Sequence, residues 1–240
     1  MESASTEVRG LSKILDQAAL PLIAILPHNN DDYAKAAQES GADAFVIGID
    51  KTETTFPGLF GSFDLQGDSI NAILSTSSVP VGISIGDSRP LTPETWEKIA
   101  SKPFAFVNMY AHHMPPFVLK DARVEKLVSI GAGYMLEQIK SISEMSEVQA
   151  IEAAIVTAQG KNHVFSALDL STLRMIARLS SKPVILRAQK RLEPQDMSTI
   201  AEEGLKGVTL DPSALEPGVE AYRDAIMTYR SRASRTDPTI

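Results

Sequence analysis

The strongest constraint on the fold is an alternation of short apolar runs with amphipathic stretches along the 240 residues of the chain. Such runs, rich in Val, Ile and Phe, are typical of parallel strands buried on both faces. Eight of them occur, at residues 22–26, 44–49, 81–85, 104–110, 133–139, 164–168, 184–186 and 207–210. This rhythm predicts a single-domain (βα)₈ barrel. An open, doubly wound parallel sheet is the alternative, because alternation alone does not show closure, although eight strands are many for an open sheet of this length.

Helical patterns fill the segments between these runs. Thr92, with Pro93 and Glu94 behind it, has the composition of a helix start, and Gly41 and Gly204 are placed to end helices. The predicted helices cover residues 31–40, 70–75, 93–100, 120–130, 141–160, 170–179, 194–203 and 214–229. No linker or low-complexity segment interrupts the alternation, so we expect one domain over residues 1–240, with a frayed tail at 231–240.

Composition narrows the classes of function. The formal net charge of −7 and the isoelectric point near 5.2 argue against a nucleic-acid surface. The absence of cysteine excludes disulfides, thiolate nucleophiles and iron–sulfur clusters. The longest apolar run, residues 18–27, is far shorter than the ~20 residues of a membrane-spanning helix. The first residues also lack a basic region followed by an apolar stretch, so we expect no secretory signal and a cytoplasmic location.

The longest irregular stretch is residues 51–68, after the second predicted strand. It combines aromatic residues, among them Phe56, Phe60 and Phe63, with three glycines. An irregular segment of this length in a compact domain is usually functional or interfacial. Two interpretations stay open: a lid over an active site, and aromatic residues packed under the barrel or into a contact between copies in a homo-oligomer.

In a barrel of this type the working face is the carboxyl end of the strands. The polar residues at these ends include His28, Asp50 and Asp87, which we predict as proton carriers. The predicted fifth strand offers Glu137, Gln138 and Lys140 at its end, and Asp169 ends the sixth. His112 and His113 follow the fourth, but adjacent residues diverge in an extended segment, so a metal site there is disfavoured. We expect no cofactor, and the one metal alternative is a divalent-metal hydrolase using Asp50, Asp87 and His112.

The last third of the chain carries the most specific pattern. From Lys182 it reads KPVILRAQKRLEPQDMSTIAEEGLKGVTLDPSALEPGV. Over about 40 residues this segment resembles the last two strand–loop units of the phosphate-binding (βα)₈ barrels, such as thiamine phosphate synthase and the N-acylmannosamine-6-phosphate epimerases. The matching positions are Pro183–Ile185, Asp196, Gly204, Gly207, Val208 and Ala214–Leu215. The resemblance is to the superfamily and implies a phosphate site on the loops after the seventh and eighth strands.

The chain departs from that pattern where glycines are expected. Ala188 and Gln189 follow the seventh strand and Asp211 follows the eighth, where its charge would repel a dianion. Arg187 and Lys190 could replace the missing backbone donors. We therefore predict an anion site of Arg187, Gln189, Lys190, Ser213 and Ala214. The alternatives are a carboxylate substrate, or no anion with Arg187 paired to Asp211.

These residues predict a small-molecule enzyme, an isomerase or carbon–carbon lyase that acts by acid/base catalysis on a small anionic metabolite. The alternative from another class is a barrel that binds a ligand or serves as an oligomeric scaffold without catalysis. A buried strand-end carboxyl with a raised pKa would favour the enzyme.

Overall fold

Eight parallel strands close into one barrel in a computed structural model that describes residues 10–51, 60–156, 160 and 163–233. The strands are β1 (Leu22–Ile25), β2 (Ala44–Ile49), β3 (Val81–Ile85), β4 (Phe106–Tyr110), β5 (Glu125–Gly131), β6 (Ala150–Ala154), β7 (Val184–Ala188) and β8 (Val208–Leu210). Each pairs with its sequence neighbours, and β8 pairs with β1. The predicted (βα)₈ barrel is therefore confirmed, and the open sheet is excluded.

Helices surround the barrel and connect its strands. They are α1 (Leu11–Gln17), α2 (Asp31–Glu39), α3 (Gly67–Thr76), α4 (Pro93–Ala100), α5 (Pro116–Leu119), α6 (Leu136–Ser143), α7 (Ala167–Leu179), α8 (Asp196–Glu202) and α9 (Val219–Ala233). Thr92 begins α4 as predicted, because its side chain accepts a hydrogen bond from the Thr95 N–H at 3.2 Å. None of the described helices is both long and apolar enough to cross a membrane.

Two predicted strands are wrong. The prediction at residues 133–139 falls largely on α6, and β5 lies earlier, where we predicted a helix over 120–130. The prediction at 164–168 falls on the loop before α7 and on the first two residues of that helix, and β6 lies within the predicted helix 141–160. The predicted number of eight strands is still correct, because an observed strand lies just before each of the two wrong predictions in the chain.

The two ends of the chain also differ from expectation. Helix α1, which the sequence analysis did not predict, covers the amino end of the barrel, where Leu11 and Ile14 pack against interior residues such as Ile23 and Phe106. At the other end, residues 231–233 belong to α9 rather than to a frayed tail, and Ala233 is buried. Residues 234–240 lie outside the described part of the chain.

The segment after β2 is described at residues 50–51 and again from residue 60 onward. Phe63 is buried, and the Phe60 ring lies against Gly48, where an added Cβ atom would come within 2.8 Å of it. These two aromatic residues therefore pack against the barrel, as one interpretation of the segment expected. Residues 52–59, with Phe56 and the predicted lid, lie outside the described residues, so the lid and the contact between copies both stay predictions.

The interior of the barrel changes character along its axis. At the amino end it is filled by apolar side chains from the strands and from α1. Toward the carboxyl end, buried polar side chains take over: Ser84, Asn108, Ser129, Glu152, Arg187, Thr209 and Asp211. The register places them on six neighbouring strands or directly after one, pointing inward from β3 round to β8. This polar layer forms the base of the candidate site.

Candidate active site at the carboxyl end of the barrel

A cavity of about 220 Å³ opens at the carboxyl end of the strands, and we call it the mouth cavity. Its lining comes from the ends of β2, β3, β4 and β7, and consists of Lys51, Ser84, Ile85, Gly86, Asp87, Asn108, Met109, Tyr110, His113 and Arg187. The volume is below the range of pockets for drug-sized ligands, which begins at about 300 Å³. The cavity therefore suits a small metabolite.

Asp50 directly precedes the lining residue Lys51 and has a strained conformation. Its φ of 49° is in the left-handed region, where it is the one non-glycine residue of the described chain. Its backbone N–H donates to the Gly61 carbonyl, and its own carbonyl accepts from the Ser88 N–H, both at 3.0 Å. Gly86 packs so closely against this backbone that an added Cβ atom would lie 2.2 Å from the Asp50 carbonyl oxygen. The backbone of Asp50 is thus held from two sides.

The Asp50 carboxyl is buried, and burial raises its pKa although the Arg89 charge opposes the shift. Arg89 Nε lies 3.8 Å from Oδ1, beyond hydrogen-bond distance, and no other described group donates a hydrogen bond to that oxygen. A carboxyl group with a raised pKa and an uncommitted oxygen is suited to take up and release a proton.

Asp87 and His113 lie together at the opening of the cavity. Asp87 is exposed, and its Oδ2 is 3.8 Å from His113 Nε2. Contrary to our expectation, His112 and His113 do not diverge, because residues 111–113 form a turn rather than an extended segment, and the two rings are 4.0 Å apart. Burial and the neighbouring His113 lower the pKa of His112, whose backbone N–H donates to the Tyr134 hydroxyl.

His28 occupies a different place from Asp50 and Asp87. Its ring stacks on Tyr33 at 5.5 Å with an angle of 13° between the planes, and it is not part of the mouth-cavity lining. Of the three predicted proton carriers, Asp87 lines the cavity, Asp50 directly precedes the lining residue Lys51, and His28 lies outside the lining. In the described residues no three His, Asp or Glu side chains form a cluster that could hold a metal ion.

The predicted anion-binding residues interact with groups of the protein itself. Arg187 Nε donates to Asp211 Oδ2 at 2.7 Å, and both side chains are buried. The Ser213 N–H donates to the other oxygen of Asp211 at 2.9 Å, and the Ala214 N–H donates to its carbonyl. Asp211 thus accepts hydrogen bonds from three of the five residues that we assigned to an anion. Burial by itself raises its pKa, but Arg187 and the hydrogen bonds bring it down to about 2.

The remaining two members of that set are held by neighbouring loops. Lys190 Nζ lies 2.6 Å from Asp169, which also caps the start of α7 together with Ser166. The Gln189 side-chain oxygen accepts from the Val156 N–H at 3.1 Å. Arg187 is the one residue of the predicted anion site that lines the mouth cavity.

The sequence analysis missed the buried polar residues below the cavity. Asn108 Nδ2 donates to Glu152 Oε2 at 3.0 Å and to Ser129 Oγ at 2.8 Å, and its Oδ1 accepts from Ser84 Oγ at 3.2 Å. The signal available in the sequence was weak, a single acidic residue, Glu152, inside the otherwise apolar run AIEAA. Glu137, Gln138 and Lys140, taken from the misplaced fifth strand, belong to α6 instead.

The fold and the position of the cavity define the class: a (βα)₈ barrel with a polar cavity at the carboxyl end of its strands. No known protein family and no curated protein sequence matches the chain. Solved structures with this fold are similar over nearly the whole chain. They include thiamine phosphate pyrophosphorylase from Pyrococcus furiosus, with a TM-score of 0.59 and 16% identity, covering 91% of this chain and 98% of the other.

Two further solved structures show the same similarity. Phosphoribosylanthranilate isomerase from Thermotoga maritima gives a TM-score of 0.63 at 13% identity, covering 90% of this chain and 99% of the other. The tryptophan synthase α-subunit from Pyrococcus furiosus gives 0.61 at 12% identity, covering 92% and 97%. These similarities confirm the (βα)₈ fold, which is what similarity at these identities shows.

Proposed function

We propose that the protein is an enzyme that transfers protons on a small anionic metabolite bound in the mouth cavity, as an isomerase or a carbon–carbon lyase. The observation that carries the proposal is Asp50, whose carboxyl is buried and raised in pKa and whose strained backbone lies against Gly86 and next to Lys51, two residues of the cavity lining. Strained residues and shifted pKa values concentrate at catalytic sites. The solved structures of the same fold support it, because their names include an isomerase, a synthase subunit and a pyrophosphorylase.

In this proposal Asp50 acts as general base, and the rim pair Asp87–His113 returns a proton to the product. Both functions are needed when a proton is removed from one carbon atom and delivered to another. Lys51 and Arg187 contribute positive charge to the cavity and would attract an anionic group. Because Arg187 is already paired with Asp211, we expect a carboxylate or phosphate to contact its outer face rather than to replace Asp211.

The test begins with a panel of small anions. Thermal shift measurements with inorganic phosphate, glycerate, glycerol 3-phosphate, ribose 5-phosphate and pyruvate identify compounds that raise the melting temperature. Each compound that does so is incubated with the protein in D₂O, and mass spectrometry follows deuterium entering carbon–hydrogen positions. We expect exchange with wild type and a loss of at least 100-fold with Asp50→Asn, the scale of general-base catalysis.

Asp16→Asn is the matched control, because this exposed aspartate lies on α1 at the opposite end of the barrel. It should exchange at the wild-type rate. Binding without exchange would favour the non-catalytic ligand-binding barrel, and equal exchange by Asp50→Asn would remove Asp50 from the mechanism.

A further inference from the structure

The buried chain Ser84–Asn108–Glu152, which we call the floor relay, has a fixed hydrogen-bond direction. Glu152 Oε2 and the Leu127 carbonyl are acceptors, and both face Asn108 Nδ2, at 3.0 and 3.3 Å. The amide nitrogen of Asn108 must therefore point toward Glu152, and its oxygen must point toward Ser84. That oxygen accepts the Ser84 hydroxyl proton at 3.2 Å.

The direction of the relay decides what the cavity presents to a ligand. Ser84 has donated its only proton, so the lone pairs of its Oγ remain, together with a lone pair of Asn108 Oδ1. Both residues line the mouth cavity. The β3–β4 side of the cavity base is therefore an acceptor surface, whereas Arg187 on β7 and Lys51 after β2 present donors and positive charge.

Glu152, together with the Leu127 carbonyl, orients the Asn108 amide from the side opposite the cavity. It is fully buried, it receives hydrogen bonds from Asn108 and from Ser129 at 2.6 Å, and its Oε1 has no hydrogen-bond partner among the described residues. A buried carboxyl oxygen without a hydrogen bond lowers the stability of the fold, so its presence in a native structure requires an explanation. Among the described residues that line the cavity, only Asn108 forms a hydrogen bond with Glu152. Glu152 therefore acts on the cavity by orienting the Asn108 amide.

We infer that the mouth cavity selects small anions that also carry a hydroxyl group, that Ser84 and Asn108 receive this hydroxyl, and that Glu152 is the positioning residue that sets the selectivity. A neutral hydroxyl is favoured over an ammonium group because two cations line the same cavity. A ligand without the hydroxyl would leave the acceptors of the floor without a partner, which is how polar sites reject deoxy analogues. The inference rests on the proposed function, because it names the substrate class of the same cavity.

The test compares matched pairs of probes that differ in hydroxyl groups: glycerol 3-phosphate against n-propyl phosphate, and glycerate against propionate. Calorimetry gives the dissociation constants, and the pair that binds shows whether the anion is a phosphate or a carboxylate. We expect wild type to bind the hydroxylated member about tenfold more tightly, the size of one net hydrogen bond. Ser84→Ala should reduce the preference to less than threefold, and so should Glu152→Leu, which removes the acceptor that an amide oxygen would still supply.

Ser129→Ala is the matched control, because this buried barrel serine donates to Glu152 and accepts from Asn108 but does not line the cavity. It should keep the preference, since Asn108 Nδ2 keeps two acceptors, Glu152 Oε2 and the Leu127 carbonyl. If Glu152→Leu fails to fold, the small change Ser84→Ala still decides the outcome.

Equal binding of both members of a pair, binding of neither, or an unchanged preference in Ser84→Ala overturns the inference. Deuterium exchange that depends on Asp50 is measured separately, over the wider panel of anions. The proposed function can therefore stand when the hydroxyl selectivity fails, and loss of Asp50-dependent exchange with a retained preference would leave a selective binding barrel.

Discussion

Asp50 shows how a single residue can be held in an unfavourable state by its neighbours. Aspartate tolerates the left-handed region better than most residues, but the conformation still costs free energy. Hydrogen bonds to the Gly61 carbonyl and from the Ser88 N–H, together with close packing by Gly86, keep it there. The carboxyl also loses solvation. Both costs reduce stability, which is the usual trade between stability and activity at catalytic sites.

Replacing Asp50 by Asn should therefore change how stability depends on pH. The folded pKa is raised above the ordinary value of 3.8, so the folded state binds more protons than the unfolded state above that value. The contribution of Asp50 to the free energy of unfolding should fall as the pH rises from 3.8 through the raised folded pKa. Urea denaturation of Asp50→Asn over this range should lack that fall, whereas Asp16→Asn should keep it. Parallel curves for wild type and Asp50→Asn would contradict the assigned shift.

The Arg187–Asp211 pair has the opposite dependence. The folded pKa of Asp211 is about 2, below the ordinary 3.8, so its contribution is complete above 3.8 and is lost as the pH falls toward 2. The two aspartates thus act on either side of pH 3.8. Asp211→Asn should flatten the acid limb of the stability curve below this pH and leave the limb above it unchanged, as measured by urea denaturation at a series of pH values.

Removing one partner of this pair should be more damaging than removing both. Arg187→Met leaves a buried aspartate without its cation, and a loss of about 3–5 kcal/mol in the free energy of unfolding is expected. In Arg187→Met/Asp211→Leu no uncompensated charge remains, so the double variant should be more stable than Arg187→Met alone. Urea denaturation of the single and double variants at neutral pH measures the coupling. Additive losses would show that the two side chains do not depend on each other.

At the scale of elements, strands made of large apolar residues could be predicted from sequence, and strands made of small or polar residues could not. β2 and β3 are found to the residue, because AFVIGI and VGISI leave no helical interpretation. β6 reads AIEAA, whose alanines favour a helix in isolation. β5 contains Lys126, which is buried because its ammonium donates to the carbonyls of Asp121 and Val124. Both segments form strands because they pair with strands that are distant in the sequence. A local sequence pattern carries no information about such pairing.

The candidate site divides in the same way. Asp50, Asp87 and Arg187 could be predicted because the strands before them or around them were recognised. Glu152 and Asn108 could not, since one lies on a strand mistaken for a helix and the other inside a strand whose inward face was not assigned. His28 was predicted from its position alone, which says nothing of the direction in which the ring turns.

The contact between the loops after β2 and β3 gives a further prediction at this scale. A methyl group on Gly86 would lie 2.2 Å from the Asp50 carbonyl oxygen, and a backbone atom cannot move away as a side chain can. Gly86→Ala should lower the free energy of unfolding by about 1–3 kcal/mol. Gly133→Ala is the control, because its added methyl group meets no atom within 4 Å. Thermal unfolding followed by circular dichroism compares the two, and equal melting temperatures would contradict the close approach.

At the scale of the whole molecule, the helix-facing core depends on side chains such as Ile83, which is fully buried on β3. Ile83→Asp places an unpaired charge there at a cost of several kcal/mol, on the order of total stability, so we expect no soluble, cooperatively melting protein. Ile83→Val should cost only about 0.5–1.5 kcal/mol. Soluble yield and melting curves distinguish them, and a cooperative transition in Ile83→Asp would show that the side chain is not enclosed.

The pairing of β8 with β1 joins the last strand to the first, so the ring closes only when nearly the whole chain has been assembled. Contacts of such large sequence separation form slowly. The mouth cavity takes its walls from β3, β4 and β7, which lie on different arcs of that ring, and it has no counterpart in a partly assembled sheet. Any compound that occupies it binds the closed ring alone, and it should slow the opening of the barrel and protect the amides of β1 and β8 from hydrogen exchange, although it touches neither strand.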